Sequence, residues 1–123
     1  MLTTQAVDGF QPDIGNGGGF GQLKELSTVA AMNNIAIAPH NPNGPLSVVQ
    51  GLQGMGFLRN GYILETVGNE DEERLAEQLL TKPELVCSKD GFLDLPTGPG
   101  LGVELNEEGL AAMPFERYYQ TTR

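Results

Sequence analysis

Ile35-Ala-Ile-Ala-Pro-His-Asn-Pro-Asn-Gly-Pro45 is the stretch on which the reading of this chain turns. Four apolar residues run into a polar, proline-framed turn, and His40, the only histidine among 123 residues, stands at the change. A short uninterrupted apolar run between turn signals fits a strand buried on both faces, and such strands belong to parallel sheets covered by helices. The pattern predicts a strand over residues 35–38 that delivers one ionisable ring to the rim of a parallel sheet. A lone histidine is more often structural than functional. What favours a site is that the strands before and after it end in the same way.

Working outward, Ala6-Val-Asp-Gly-Phe10 reads as a short strand ending at Gln11-Pro12-Asp13. The glycine-rich turn Gly15-Asn-Gly-Gly-Gly19 follows, then a helical period over residues 20–32 with Leu23, Leu26 and Ala30 on one face. Asn33-Asn34 supplies a helix stop before the central strand. After His40, a second helix is predicted over residues 46–57, where Gly51, Gly54 and Gly56 permit close packing against a sheet. Arg59-Asn-Gly61 turns into a third predicted strand, Tyr62-Ile-Leu-Glu65. The connections are too long for hairpins, so the order strand–helix–strand–helix–strand calls for parallel strands joined by crossovers.

The second half changes character. An exposed helix is predicted over residues 70–80, capped by Asn69, with Leu75, Leu79 and Leu80 as its apolar contacts. Lys82-Pro83 ends it, and residues 84–86 and 92–96 read as two short strands around the Asp90-Gly91 turn. An extended glycine-punctuated segment and a short helix over residues 106–112 follow. The tail, Arg117-Tyr-Tyr-Gln-Thr-Thr-Arg123, reads as a surface strand or a frayed end.

Charge and cysteine usage exclude several functions. A net charge of −9 and a pI near 4.3 argue against binding nucleic acid or an anionic membrane through a basic surface. The acidic runs Asn69-Glu-Asp-Glu-Glu73 and Asn106-Glu-Glu108 read as solvated faces. No apolar run has the length of a membrane span, and the start of the chain lacks the layout of a signal peptide. Cys87 is the sole cysteine, so neither an internal disulfide nor a thiolate metal cluster can form. The expectation is a soluble cytoplasmic protein. The glycine turn does not make a dinucleotide fingerprint, because Phe20, Gln22 and Lys24 occupy the third-glycine positions, and no Gly-Lys-Ser/Thr ending is present.

Asp13, His40 and Glu65 each stand at or just after the C-terminal end of a predicted parallel strand. In a parallel α/β sheet these ends lie on one side, where sites are built. A carboxylate beside an imidazole fixes its tautomer and makes it an effective proton acceptor, and a further carboxyl group can meet a substrate oxygen or act as an acid. Singly, Asp13 is equally well a turn residue after Pro12, and Glu65 a solvated strand end. Their coincidence favours a site.

Four motifs in this order, Gln11-Pro-Asp-Ile14 with Gly18-Gly19, Ala38-Pro-His-Asn41 with Gly44-Pro45, Ile63-Leu-Glu65, and Asp90-Gly91 with Leu95-Pro96 and Pro99-Gly-Leu-Gly102, resemble the C-terminal part of the mandelate racemase/muconate lactonizing branch of the enolase superfamily. The wording around His40 is most similar to the acid-sugar dehydratases. The resemblance implies a partial (β/α) barrel: the last three βα units over residues 1–80, and a segment over 81–123 returning toward a capping domain that is not in this sequence. It implies a catalytic Asp13–His40 dyad, Glu65 as the acid at the next strand, and Asn41 as a substrate contact. The implied chemistry is proton abstraction beside a carboxylate, with Mg²⁺ bound by upstream strands and no metal ligand in this chain. A racemase or cycloisomerase of the same superfamily is the alternative. A whole barrel needs about 250 residues, so a fragment of a larger enzyme is expected, inactive alone; a further alternative is an inactive partial barrel that needs a partner chain to complete its sheet. The implied partner of the whole enzyme is a sugar-acid or other carboxylate substrate, and the full-length protein is expected to be a homo-oligomer.

Overall fold

The computed structural model describes residues 4–88 and 90–114. In chain order they form β1 (Gly9–Phe10), α1 (Gly19–Met32), β2 (Ala36–Ile37), α2 (Pro45–Phe57), α3 (Glu70–Leu79), a 3-10 turn at Pro83–Leu85, and α4 (Glu107–Ala111). The reading of residues 117–123 as a strand or frayed end lies outside the described residues. No helix among the described residues is long and apolar enough to cross a membrane.

β1 and β2 run parallel, with Gly9 opposite Ala36 and Phe10 opposite Ile37. Both strands are shorter than the apolar runs suggest, and the reason is proline. Pro12 and Pro39 have no N–H to give to a ladder, so regular pairing stops there. The segments nevertheless stay side by side. Ala38 N donates to Phe10 O and His40 N to Pro12 O, each at 3.0 Å, and Asp13 and His40 form a further parallel bridge. Ile35 and Ile37 are buried with Leu23 and Ala30 of α1, whereas Ala36 and Ala38 are half-buried. Alternation along the strand puts the isoleucines on the helix side, so full burial holds for that face only.

The strand expected over residues 62–65 does not form. This segment meets β2 at one bridge, Ile37 with Gly61, where Ile37 N donates to Asn60 O and Tyr62 N to Ile37 O, each at 2.8 Å. Asparagine side chains then replace the ladder at both ends. Asn60 Nδ2 donates to Ile35 O at 2.8 Å while Ser27 Oγ donates to Asn60 Oδ1 at 2.6 Å. At the far end Asn41 Nδ2 donates to Glu65 O at 3.1 Å. Backbone groups are thus paired without a continuous strand.

The helices lie where the periodicity predicts. α1 opens from Gly18 and Gly19, whose φ angles of 89° and 75° are left-handed and suit glycine. α2 begins with Pro45 at its first position, where a missing N–H costs nothing. Its glycines do permit close packing: a Cβ on Gly51 would come within 2.5 Å of Asn41 Nδ2 and Leu64 Cδ1. Asn69 caps α3 by accepting from Glu72 N at 2.9 Å, and the Glu72 carboxylate accepts from Gly68 N at 2.7 Å. α3 buries Ala76, and Leu80 just after it, against Val48, Val49 and Leu52 of α2; Leu75 and Leu79 are half-buried.

Residues 84–86 and 92–96 are not strands. Pro83 starts a 3-10 turn instead, and the Asp90-Gly91 turn satisfies its amides with side chains: Gly91 N donates to Ser88 Oγ, and Phe92 N to Asp90 Oδ1. With those donors used locally, no ladder is available. The segment folds back onto α2, where Gln53 Nε2 donates to Pro96 O and Leu101 O at 2.8 and 3.0 Å. Leu80 and Leu105 form an antiparallel bridge beside it.

Candidate active site

The parallel alignment that carries β1 and β2 past their prolines brings Asp13 and His40 together at the strand ends. Asp13 Oδ2 lies 3.1 Å from His40 Nδ1. An Asx turn shapes the other side of the carboxylate: Asn16 N donates to Oδ1 at 2.8 Å and Asn16 Nδ2 to Oδ2 at 3.1 Å. Asn43 Nδ2 reaches Oδ2 at 3.5 Å. The Asn16 backbone N–H is the main cause that holds the Asp13 carboxyl below its ordinary value; burial opposes it, and the bonds from His40 and the Asn16 side chain reinforce it. A carboxylate so held is an acceptor. It assigns the proton to Nδ1 and leaves the lone pair of the neutral ring on Nε2. A hydrogen bond to a charged group contributes about 1.5–3 kcal/mol, and even reduced by solvent it suffices to select one tautomer.

Glu65 closes the group from the third segment. Its Oε2 accepts from Gln11 Nε2 at 3.0 Å and from Asn41 N at 3.2 Å. His40 Nε2 stands 3.9 Å from the same oxygen, at ion-pair range but beyond a hydrogen bond. The His40 and Glu65 side chains are each 41% exposed, and Asp13 15%, so the ring faces outward while its orienting carboxylate is sheltered.

The three ionisable residues predicted from the sequence therefore meet. Asn41 is different: it is 1% exposed, and its amide donates to Pro39 O at 3.3 Å and to Glu65 O. Its side-chain amide is engaged inside the fold, and its backbone N–H meets the Glu65 carboxylate. Asn41 thus holds Glu65 at both its carbonyl and its carboxylate. Three neighbours escaped the sequence reading: Gln11, Asn16 and Asn43. Gln11 is two residues before Asp13, so in extended backbone the two share a side. Asn16 stands three after it, the spacing of an aspartate that accepts from its own turn.

The same hydrogen bonds test the chain against a metal centre. Both oxygens of Asp13 and one of Glu65 are already occupied by N–H donors. Among the described residues no group of three or more acidic, histidine or cysteine side chains could hold a metal ion. These residues do not by themselves fit Mg²⁺.

The strand ends of this parallel α/β scaffold thus bring an Asp–His pair and a third carboxylate together. Residues 1–109 match the enolase C-terminal domain-like family, and the chain belongs to it. It is a partial (β/α) barrel of mandelate racemase/muconate lactonizing type. A structure from Labrenzia alexandrii, assigned to those enzymes, superposes with a TM-score of 0.78 at 32% identity, over 93% of this chain and 29% of that one. The D-galactonate dehydratase of Verminephrobacter eiseniae is 33% identical over 122 residues, covering 87% of this chain and 28% of the relative. The D-galactarolactone cycloisomerase of Agrobacterium fabrum is 27% identical over 113 residues, covering 89% and 30%. The chain thus spans less than a third of the length of these curated relatives.

Proposed function

We propose that this chain supplies the proton-transferring part of an enolase-superfamily acid-sugar dehydratase. The observation that carries the reading is the Asp13–His40 pair: one ring nitrogen bonded to a carboxylate at 3.1 Å, the other turned toward Glu65. In this reading His40 Nε2 accepts the proton from the carbon beside the substrate carboxylate. The C–H electron pair moves into an enediolate, the β-hydroxyl is expelled, and the imidazolium returns its proton so that water leaves. Asp13 stabilises the charged ring throughout, and Glu65 meets the substrate carboxylate or the enediolate. Relatives that act on D-galactonate support this substrate class. Mg²⁺ belongs to the proposal only through ligands supplied outside this sequence, and the isolated chain is expected to do no chemistry. The dyad also suits cycloisomerisation, which the second relative's activity favours as the alternative.

The test is a chimera in which residues 1–109 replace the matching segment of the Verminephrobacter eiseniae enzyme, supplied with D-galactonate and Mg²⁺. A dehydrated keto acid, lost in His40→Asn, supports the reading. A folded chimera that exchanges no substrate proton with D₂O overturns it; exchange with a cyclised product selects the alternative.

A further inference from the structure

Glu65 carries the reading's third role, yet a carboxylate at a partly exposed strand end has two chemically equivalent oxygens and free rotation. The described residues remove that equivalence. Oε2 accepts from Gln11 Nε2 at 3.0 Å and from the Asn41 backbone N–H at 3.2 Å, from two different segments. An sp² carboxylate oxygen has two in-plane lone pairs, and two donors fill them. Oε1 has no hydrogen-bond partner among the described residues, and the side chain is 41% exposed. The backbone side of the clamp is rigid, because the Asn41 amide ties the same strand end through Glu65 O. The free variable is Gln11, an exposed side chain with no other hydrogen bond among the described residues.

We propose that Gln11 is a positioning residue for Glu65: with the Asn41 N–H it holds Oε2 beside His40 and leaves Oε1 as the oxygen presented to the substrate. This rests on the role proposed for Glu65. Oε2 stands 3.9 Å from His40 Nε2, which carries only a lone pair in the Nδ1–H tautomer, so the two acceptors do not bond. With Oε2 held at that distance by its two donors, the Nε2 lone pair stays open toward a substrate proton.

The experiment is NMR on the full chain, labelled at side-chain amides and carboxyls. In Glu65→Ala the Gln11 carboxamide proton should move upfield as it loses its charged acceptor, together with the Asn41 backbone amide. In Gln11→Met, which keeps length and removes the donors, the thermal midpoint should stay while the Glu65 carboxyl carbon shifts and its two rotamers begin to average. A Gln11 carboxamide indifferent to Glu65→Ala overturns the clamp. So does a Glu65 carboxyl signal unchanged in Gln11→Met. If the chimera described above turns over substrate, Gln11→Met should lower its kcat about two- to tenfold with little change in KM; an unchanged kcat also counts against the inference. Inactivity of that chimera bears on the dehydratase reading, and the two spectroscopic results stand apart from it.

Discussion

Asn41 is bound to Glu65 twice, through its side-chain amide to the Glu65 carbonyl at 3.1 Å and through its backbone N–H to the Glu65 carboxylate at 3.2 Å. One buried residue beside the histidine therefore does the work that a strand ladder does elsewhere. Asn41→Ala removes both amide hydrogens from a site that is 1% exposed and leaves two carbonyl oxygens, those of Pro39 and Glu65, without that donor. Stranding such groups costs about 1–3 kcal/mol. Urea denaturation should show a loss of that size, and a variant as stable as the wild type would contradict the assignment.

Two glycines in helices should respond in opposite directions to alanine. Gly51 of α2 has Asn41 Nδ2 and Leu64 Cδ1 each 2.5 Å from where a Cβ would stand. Gly51→Ala forces the helix off the strand end, with an expected loss of about 1–3 kcal/mol. Gly21 of α1 has nothing within 4 Å of that position and a backbone that alanine adopts. Gly21→Ala should add about 0.5–1 kcal/mol through reduced backbone freedom of the unfolded chain. Paired thermal melts check both signs at once.

How much was legible beforehand follows from what each residue announces by type and spacing. The helices were legible because Leu23 and Ala30, or Asn69 with Glu72, carry the period and the cap within a few residues. Asp13, His40 and Glu65 were legible because apolar runs end in them. The third strand was not, since Asn60 and Asn41 replace its ladder from elsewhere in the chain, and alternation alone does not announce that substitution. The expected hairpin failed for a local reason: the Ser88 and Asp90 side chains take the amides a strand would need. Asn41 was placed by its neighbour His40, and only its burial reveals that its amide is spent inside.

Cys87 should be a slow thiol. Burial is the main cause that raises its pKa above the ordinary 9.0, and the charges of Glu73, Glu72, Glu77 and Glu84 raise it further. The thiolate is the reactive form, so the fraction available at pH 8 is below that of a free cysteine. Alkylation by iodoacetamide in native buffer should be slower than for a model thiol and should recover in urea. A native rate equal to the model thiol's would show that neither burial nor the glutamates act on it.

The acid side of the stability curve should carry the signature of Asp13. Its carboxyl is held below the ordinary value of 3.8, chiefly by the Asn16 backbone N–H, so below that value the unfolded chain takes up a proton more readily than the folded one. Stability then rises with pH across this window. The contribution is fully present above pH 3.8 and disappears as pH falls through the depressed folded value. Asp13→Asn removes the titrating group while keeping its shape, so chemical denaturation below pH 4 should show a shallower dependence on pH than the wild type. His40→Gln, which removes one of the lesser causes and leaves the Asn16 bond, should retain most of the slope. Equal slopes for wild type and Asp13→Asn would mean that the Asx turn does not stabilise the ionised carboxylate, and that Asp13 does not fix the Nδ1–H tautomer of His40.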